Sequence, residues 1–310
     1  MENNKVAVIG SLNYDIVLKQ ERLAEIGETI TVDGVSFCGG GKGANQAVQC
    51  AKLGLETYMV GRVGNDHFGT ILIDSLKKYN VKTDYIGFAD THTGLGIVNS
   101  FPDGRLLSTI STGANYSLTV EDIDRAESIL KESQIVILQL EIPRDVVEYS
   151  IKLAKKHNCY VIVNAAPSYN LSEDVMELID CLVVNESEAS FYAGREISTV
   201  EDALQCCDSL FKQIGELLII TLGEKGSFLY DGTNTFCISP EKVNVVETTG
   251  AGDSYIGAIA YGLINDFSKE EMGKFASKVS SKTVMKIGGQ DAMPHLEEVL
   301  ASFDVEIDVS

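Results

Sequence analysis

The chain has 310 residues, 45% of them hydrophobic, and 25 Lys and Arg stand against 45 Asp and Glu for a formal net charge of −20. That length and apolar content supply the core of one large α/β domain, or of one domain with a small appendage. The acidic balance excludes nucleic acid and anionic membrane as partners, so a phosphate ligand has to be held by local features.

No apolar run approaches the ~18 residues that a membrane span needs, and Met1-Glu2-Asn3-Asn4 leads straight into a strand rather than a signal peptide. Seven cysteines without CxxC spacing, Cys206 and Cys207 adjacent, suit reduced thiols in a cytoplasmic protein. His67, His92, His157 and His295 are scattered and give no metal spacing.

Lys5 to Ile9 reads as a short apolar strand closed by Gly10-Ser11. Leu12-Asn13-Tyr14-Asp15 follows. It is either a polar loop or part of a ligand crevice at the carboxyl edge of a sheet. Ile16 to Lys19 and Ile30 to Phe37 read as strands. Thr93 to Phe101 and Leu106 to Ser111 alternate around Pro102-Asp103-Gly104, a hairpin signal. These four strands break a βαβ rhythm and predict a small β appendage, a lid on the main domain.

Within this region, Gly39, Gly40, Gly41 and Gly43 place four glycines in five residues, which permits close backbone approach or hinge motion. Neither G-x-x-x-x-G-K-[ST] nor G-x-G-x-x-G is met. Lys42 and Asn45, spaced among the glycines, argue against a mere linker. Ala44 to Leu53 reads as a buried helix of small residues.

From the strand Thr57 to Val63 onward a βα rhythm sets in. Helices are predicted over 67–79, over 120–132 with Thr119 as cap, and over 144–157, 175–179, 186–192 and 200–214. Strands are predicted over 135–140, 160–163, 181–184, 217–221, 227–230 and 235–238. Such alternation implies a parallel sheet covered on both faces. Asn13, Asp15, Glu141, Asn164, Asn185, Thr221 and Gly223 all fall at or just past strand ends, which together outline a polar crevice.

Val245 to Ser254 is a β-branched run ending in Gly250-Ala251-Gly252 and the lone carboxylate of Asp253, before a small-residue helix from Tyr255 to Leu263. Backbone N–H groups at a glycine turn and a helix start suit an anion. A tight turn with Asp253 as N-cap accounts for the same residues.

Four stretches in order resemble the PfkB-type carbohydrate kinases: Gly10 to Asp15, Gly40 to Ala47, Asn185-Glu186-Ser187-Glu188, and Thr248 to Asp253. The second and fourth are specific to that family at this separation, and Gly-Gly-Lys-Gly-Ala-Asn points to its ribokinase-like members. The resemblance spans essentially the whole chain. It implies one kinase domain over 1–310 with a three-layer α/β fold, a central mostly parallel sheet, and a β-sheet lid from about 14–38 and 93–112. It implies ATP as donor, magnesium as cofactor, and D-ribose as acceptor at its 5-hydroxyl, giving D-ribose 5-phosphate and ADP. Deoxyribose, another pentose, a nucleoside or a ketose phosphate is the alternative acceptor. A non-catalytic sugar or nucleotide binder is a more distant reading, which loss of Asp253, Gly252 or the N-x-x-E pair would favour. The missing glycine fingerprint disfavours an NAD-dependent enzyme.

By the same resemblance, Asp253 is the base and Gly250, Ala251 and Gly252 form the anion hole. Asn13, Asp15, Gly41, Lys42, Gly43, Asn45 and Glu141 bind the sugar. Asn185 and Glu188 serve magnesium and phosphate, with Glu188 acting through water. Thr221, Leu222, Gly223, Glu224, Lys225 and Gly226, together with Gly252 and Ser277, serve the nucleotide. A potassium site would draw on Glu247, Thr249, Val284, Ile287 and Gly289. A homodimer through the lid is implied as well. Three positions depart from the family: Glu247 where Asp is usual, which bears on potassium; Ala165 where Pro is common; and Tyr14 at a small or aliphatic position, which bears on lid packing or the sugar pocket. The chemistry agrees with the residue types, since a loose phosphoryl transition state needs positioned donors more than a strong base.

Overall fold

A computed structural model describes residues 3–102 and 106–307. In chain order its strands are β1 (Lys5–Ile9), β2 (Asn13–Lys19), β3 (Gly34–Gly40), β4 (Glu56–Gly64), β5 (Lys82–Ala89), β6 (Gly94–Ser100) and β7 (Leu106–Ser111). The later strands are β8 (Ile135–Gln139), β9 (Tyr160–Asn164), β10 (Cys181–Asn185), β11 (Leu217–Thr221), β12 (Ser227–Tyr230) and β13 (Thr235–Ile238). The helices are α1 (Lys42–Lys52), α2 (His67–Lys78), α3 (Val120–Arg125), α4 (Glu127–Glu132), α5 (Arg144–Lys156) and α6 (Glu173–Met176). They continue as α7 (Glu186–Ala193), α8 (Val200–Phe211), α9 (Ala251–Ile264), α10 (Lys269–Val284) and α11 (Leu296–Ile307).

The short apolar runs become central strands because both of their faces are buried. Successive side chains of a strand point to opposite sides. Val6 and Val8 of β1 therefore enter one apolar cluster, and Ala7 and Ile9 enter another. Ile135 and Ile137 of β8 part from Val136 and Leu138 in the same way. One cluster is roofed by α3 to α8 and the other by α1, α2, α9, α10 and α11. The result is a three-layer α/β/α body around a nine-stranded sheet, ordered β13-β12-β11-β10-β9-β8-β1-β4-β5. Pairing is parallel from β5 to β11 and antiparallel only at β12 and β13.

The lid is a separate four-stranded sheet, ordered β3-β2-β6-β7, as the broken rhythm predicts. Its second strand begins at Gly34 rather than Ile30 and runs through Gly39 and Gly40, which pair with Tyr14 and Asn13. Cross-strand pairing overrides the low strand propensity of glycine there. The expected hairpin joins Ser100 to Leu106 in register, and its Asp103-Gly104 turn lies outside the described residues.

The helix expected over 120–132 is split at Ala126 into α3 and α4, and Thr119 caps it in a reciprocal box with Asp122. β5, α10 and α11 lie outside the elements predicted from the sequence. β5 is a half-exposed edge strand whose Lys82 and Asp84 hide its alternation. α10 does carry a signal: Ser268 and Glu271 form a capping box, and Met272, Phe275, Ala276 and Val279 are its buried stripe.

Candidate active site

Between the lid and the carboxyl edge of the large sheet lies a cavity lined by Asn13, Asp15, Gly41, Lys42, Asn45, Glu141, Thr249, Gly250 and Asp253, with Gly96, Val98, Ser108 and Ile110 from the lid. Asn13 and Asp15 stand on β2, so they belong to the lid rather than to the end of β1. The Asp15 carboxylate fits only because its flanks are bare. A Cβ on Gly40 would stand 2.0 Å from Asp15 Oδ2, and one on Gly96 would stand 2.2 Å from Oδ1. Burial, then the neighbouring Glu141 and Asp253, push the Asp15 pKa up to about 7. Glu141 is anchored by the Ser11 hydroxyl, which donates to its Oε2, and by the Lys42 amide at 3.3 Å. Gly43 is not part of the lining. It lets α1 press against β1, since a Cβ there would meet the Ser11 backbone nitrogen at 2.7 Å.

A second cavity opens on the other side of the α9 N-terminus, lined by Asn164, Asn185, Glu188, Thr221, Thr248 and Gly252 among others. Lys42, Gly250 and Asp253 line both cavities. Gly250 caps α9 at φ 78, a conformation that favours glycine, and Asp253 falls in the first helical turn. The Ala251 amide donates to the Thr248 carbonyl at 3.2 Å, so it is not free for an anion. The amides of Gly252 and Asp253 have no main-chain acceptor among the described residues, and a Cβ on Gly252 would meet nothing within 4 Å. Of the anion-hole set only Ala251 is therefore engaged among the described residues, and the amides of Gly250, Gly252 and Asp253 at the helix start stay available to an anion.

Burial opposes the charge of Lys42, but Asp253, Glu141 and Glu188 outweigh it and raise its pKa. Glu188 closes a capping box on Asn185, accepting its amide at 2.8 Å and its Nδ2 at 3.0 Å. Burial raises the Glu188 pKa.

A model of the pfkB family carbohydrate kinases matches residues 3–296. The chain belongs to the pfkB family of carbohydrate kinases. A ribokinase of Staphylococcus aureus is 34% identical over 302 residues, covering 96% of this kinase and 98% of the relative. A deoxyribokinase of Salmonella typhi is 33% identical over 297 residues, covering 94% and 96%. Among solved structures, Arabidopsis thaliana ribokinase complexed with ribose and ATP superposes with a TM-score of 0.87 at 33% identity, covering 97% of this kinase and 98% of that chain.

The remaining nucleotide-side residues are spread out. Only Thr221 of the stretch 221–226 lines the second cavity of the kinase. Leu222 is buried, Lys225 donates to the Ser198 carbonyl at 2.7 Å, and Gly226 brings its turn against the Ile238 carbonyl. Ser277 bonds the Ser239 carbonyl at 3.4 Å, outside both cavities.

The potassium set converges only in part. The Val284 carbonyl already accepts the amides of Val246 at 2.8 Å and Glu247 at 3.2 Å. Glu247 Oε2 accepts the Gly288 amide at 3.3 Å, and Ile287 is exposed. Thr249 Oγ1 is buried without a partner. With the Val284 oxygen engaged, these residues do not present a ready oxygen cage for a monovalent ion. Tyr14 points away from the sugar cavity and stacks on Phe68 of α2 at 4.6 Å and on Phe37 at 6.2 Å, so it packs the lid. Ala165 donates its amide to the Val183 carbonyl at 3.1 Å, a bond that proline would lose.

The residues that hold the site residues in place are not among those marked by the sequence motifs. Gln46, Gln139, Asn115 and Gln290 are buried amides bonded to Asp253, Gln46, Asn13 and Asn45 respectively. Gln46 carried a faint signal, as a second amide after Asn45 inside a helix of small residues. The other three are marked by nothing local.

Proposed function

We propose that this kinase transfers the γ-phosphoryl group of ATP to the 5-hydroxyl of D-ribose, giving D-ribose 5-phosphate and ADP. The observation that carries the reading is the meeting of two polar cavities at Lys42, Gly250 and Asp253. A sugar held by Asn13, Asp15, Asn45 and Glu141 directs one hydroxyl at Asp253. A nucleotide in the other cavity brings its terminal phosphate to the α9 N-terminus. The sugar oxygen bonds to phosphorus, the bond to the bridging oxygen of ADP breaks, and the hydroxyl proton passes to the Asp253 carboxylate. The amides of Gly252 and Asp253 and the ammonium of Lys42 meet the charge on the transferring group. The lid excludes water, the competing acceptor.

Glu188 and Asn185 suit magnesium held through water, since a buried carboxylate faces the phosphate side. Bound there, the ion would neutralise phosphate charge. Potassium activation through Glu247 would require the Val284 carbonyl to give up its two amides. The outer lid face exposes Val35, Phe37 and Leu107, which supports pairing with a second copy through the lid. Among the described residues no helix is long and apolar enough to cross a membrane, and all seven cysteines are free, which supports a cytoplasmic setting.

A second acceptor, 2-deoxyribose, is favoured by the likeness to a deoxyribokinase. An ADP-release assay over ribose, 2-deoxyribose, other pentoses and nucleosides, with and without magnesium and potassium, tests the reading. Highest kcat/KM on ribose is expected. Equal efficiency on 2-deoxyribose would shift the assignment, and activity on none would overturn it.

A further inference from the structure

Both oxygens of Asp253 are gripped by side-chain amides, and each amide is gripped in turn by another. Oδ2 accepts Asn45 Nδ2 at 2.9 Å, and Asn45 Oδ1 accepts Gln290 Nε2 at 3.1 Å. Oδ1 accepts Gln46 Nε2 at 3.0 Å, and Gln46 Oε1 accepts Gln139 Nε2 at 2.7 Å. The Gln46 nitrogen also reaches Asn164 Oδ1 at 3.2 Å.

A primary amide has a donor end and an acceptor end, so fixing one end decides what the other presents. With Gln139 holding the Gln46 oxygen, only the NH2 group can face the base. Turned over, Gln46 would set its oxygen against the carboxylate. Gln46 and Gln139 are both fully buried, and neither lines a cavity, so neither touches substrate. Gln139 is confined as well: a Cβ on Gly10 would stand 1.8 Å from its Oε1. That same oxygen is buried without a partner, so the residue leaves one polar atom unmet in order to hold Gln46. Lys42, Asp15, Glu141 and Glu188 all line the cavities that Asp253 lines, and three of these four are carboxylates. Among them a fixed pair of amide donors, one on each oxygen, holds the Asp253 carboxylate plane still.

We propose that Gln46, oriented by Gln139, is a positioning residue for Asp253, setting the geometry of the base without touching sugar or nucleotide. The proposal rests on Asp253 being the base.

The test is kinetic, on the full-length kinase, with ribose and ATP varied separately and the melting temperature followed. Gln46→Met and Gln139→Met are expected to lower kcat by about tenfold or more while both KM values stay within about twofold. Each single variant strands a buried polar group and loses melting temperature. The double variant Gln46→Met/Gln139→Met removes both partners of the Gln46–Gln139 bond, though Asp253 Oδ1 and Asn164 Oδ1 still lack the Gln46 donor. It is expected to regain the part of that stability lost to the stranded Gln139 amide. Its kcat is expected to stay low. Recovery of kcat together with stability in the double variant would show a packing role and overturn the proposal, as would wild-type kcat in Gln46→Met. Asp253→Asn is the control. If it keeps turnover, the base assignment falls and takes this inference with it; if it is inactive while Gln46→Met is fully active, only the positioning role falls.

Discussion

Asn115 donates its Nδ2 to Oδ1 of Asn13 at 2.7 Å, across 102 residues of sequence. The Asn115 oxygen is itself engaged by the Leu12 amide at 2.8 Å. Asn13 can therefore turn only its NH2 group toward the sugar cavity. Toward the cavity the lid residue presents a donor, and a residue outside the lid sheet decides that.

Asn115→Leu frees Asn13 to turn over. The expected outcome is a fall in kcat/KM for ribose of about 10- to 100-fold, with a smaller fall for 2-deoxyribose, so the ratio between them narrows. Parallel kinetics on the two sugars checks this. An unchanged ratio would mean that Asn13 does not read the hydroxyl by which they differ.

Asp253→Ala is expected to lower kcat by about 10²- to 10⁴-fold without loss of the folded state. Circular dichroism and melting temperature, measured beside single-turnover kinetics, separate chemistry from folding. Near wild-type turnover in a folded Asp253→Ala protein would remove Asp253 from the role of base.

With Asp15 in its proposed role on the sugar, ribose binding is expected to depend on pH. Its pKa lies near 7 in the folded chain, against an ordinary 3.8. The folded protein thus keeps a proton that the unfolded chain releases between those values. The resulting stability contribution is present below about pH 3.8 and is lost as pH rises through about 7. A rise of about 3 in pKa corresponds to about 4 kcal/mol at most. Asp15→Asn is therefore expected to raise the melting temperature at pH 8 but not at pH 4, while weakening ribose binding. In the unmodified kinase, kcat/KM for ribose is expected to fall as pH drops below about 7, where the carboxylate gains a proton. A flat profile from pH 6 to 8 would contradict this role for Asp15.

Gly40→Ala is expected to act on the sugar alone. The new methyl would fall 2.0 Å from Asp15 Oδ2, so the carboxylate has to move. A displacement of this kind near a reacting centre costs up to about 100-fold in efficiency. The KM for ribose is expected to rise at least tenfold while the KM for ATP stays within about twofold. Equal changes in both would point to general loosening of the lid.

The layers of the fold were legible because each signal is local. Runs such as Ile135 to Leu138 announce strands buried on both faces, and the break in rhythm at 14–38 and 93–112 announces the lid sheet. β5 escaped because an edge strand with Lys82 and Asp84 exposes half of its side chains. α10 escaped although Ser268 and Glu271 mark its start.

The residue types of the site belong to the sequence alone: the glycines at 40, 41, 250 and 252, and the carboxylates Asp15, Glu141, Glu188 and Asp253. Tertiary structure decided which of them meet. It placed Lys42, Gly250 and Asp253 between two cavities, left Gly43 and Ser277 out of the lining of both, and turned Tyr14 onto Phe68. It also set the direction of every amide around the site. Gln46 and Gln139 are 93 residues apart, and Asn45 and Gln290 are 245 apart. No local pattern encodes such pairs, because the donor and acceptor of a side-chain hydrogen bond come together only once the sheet and its helices are packed.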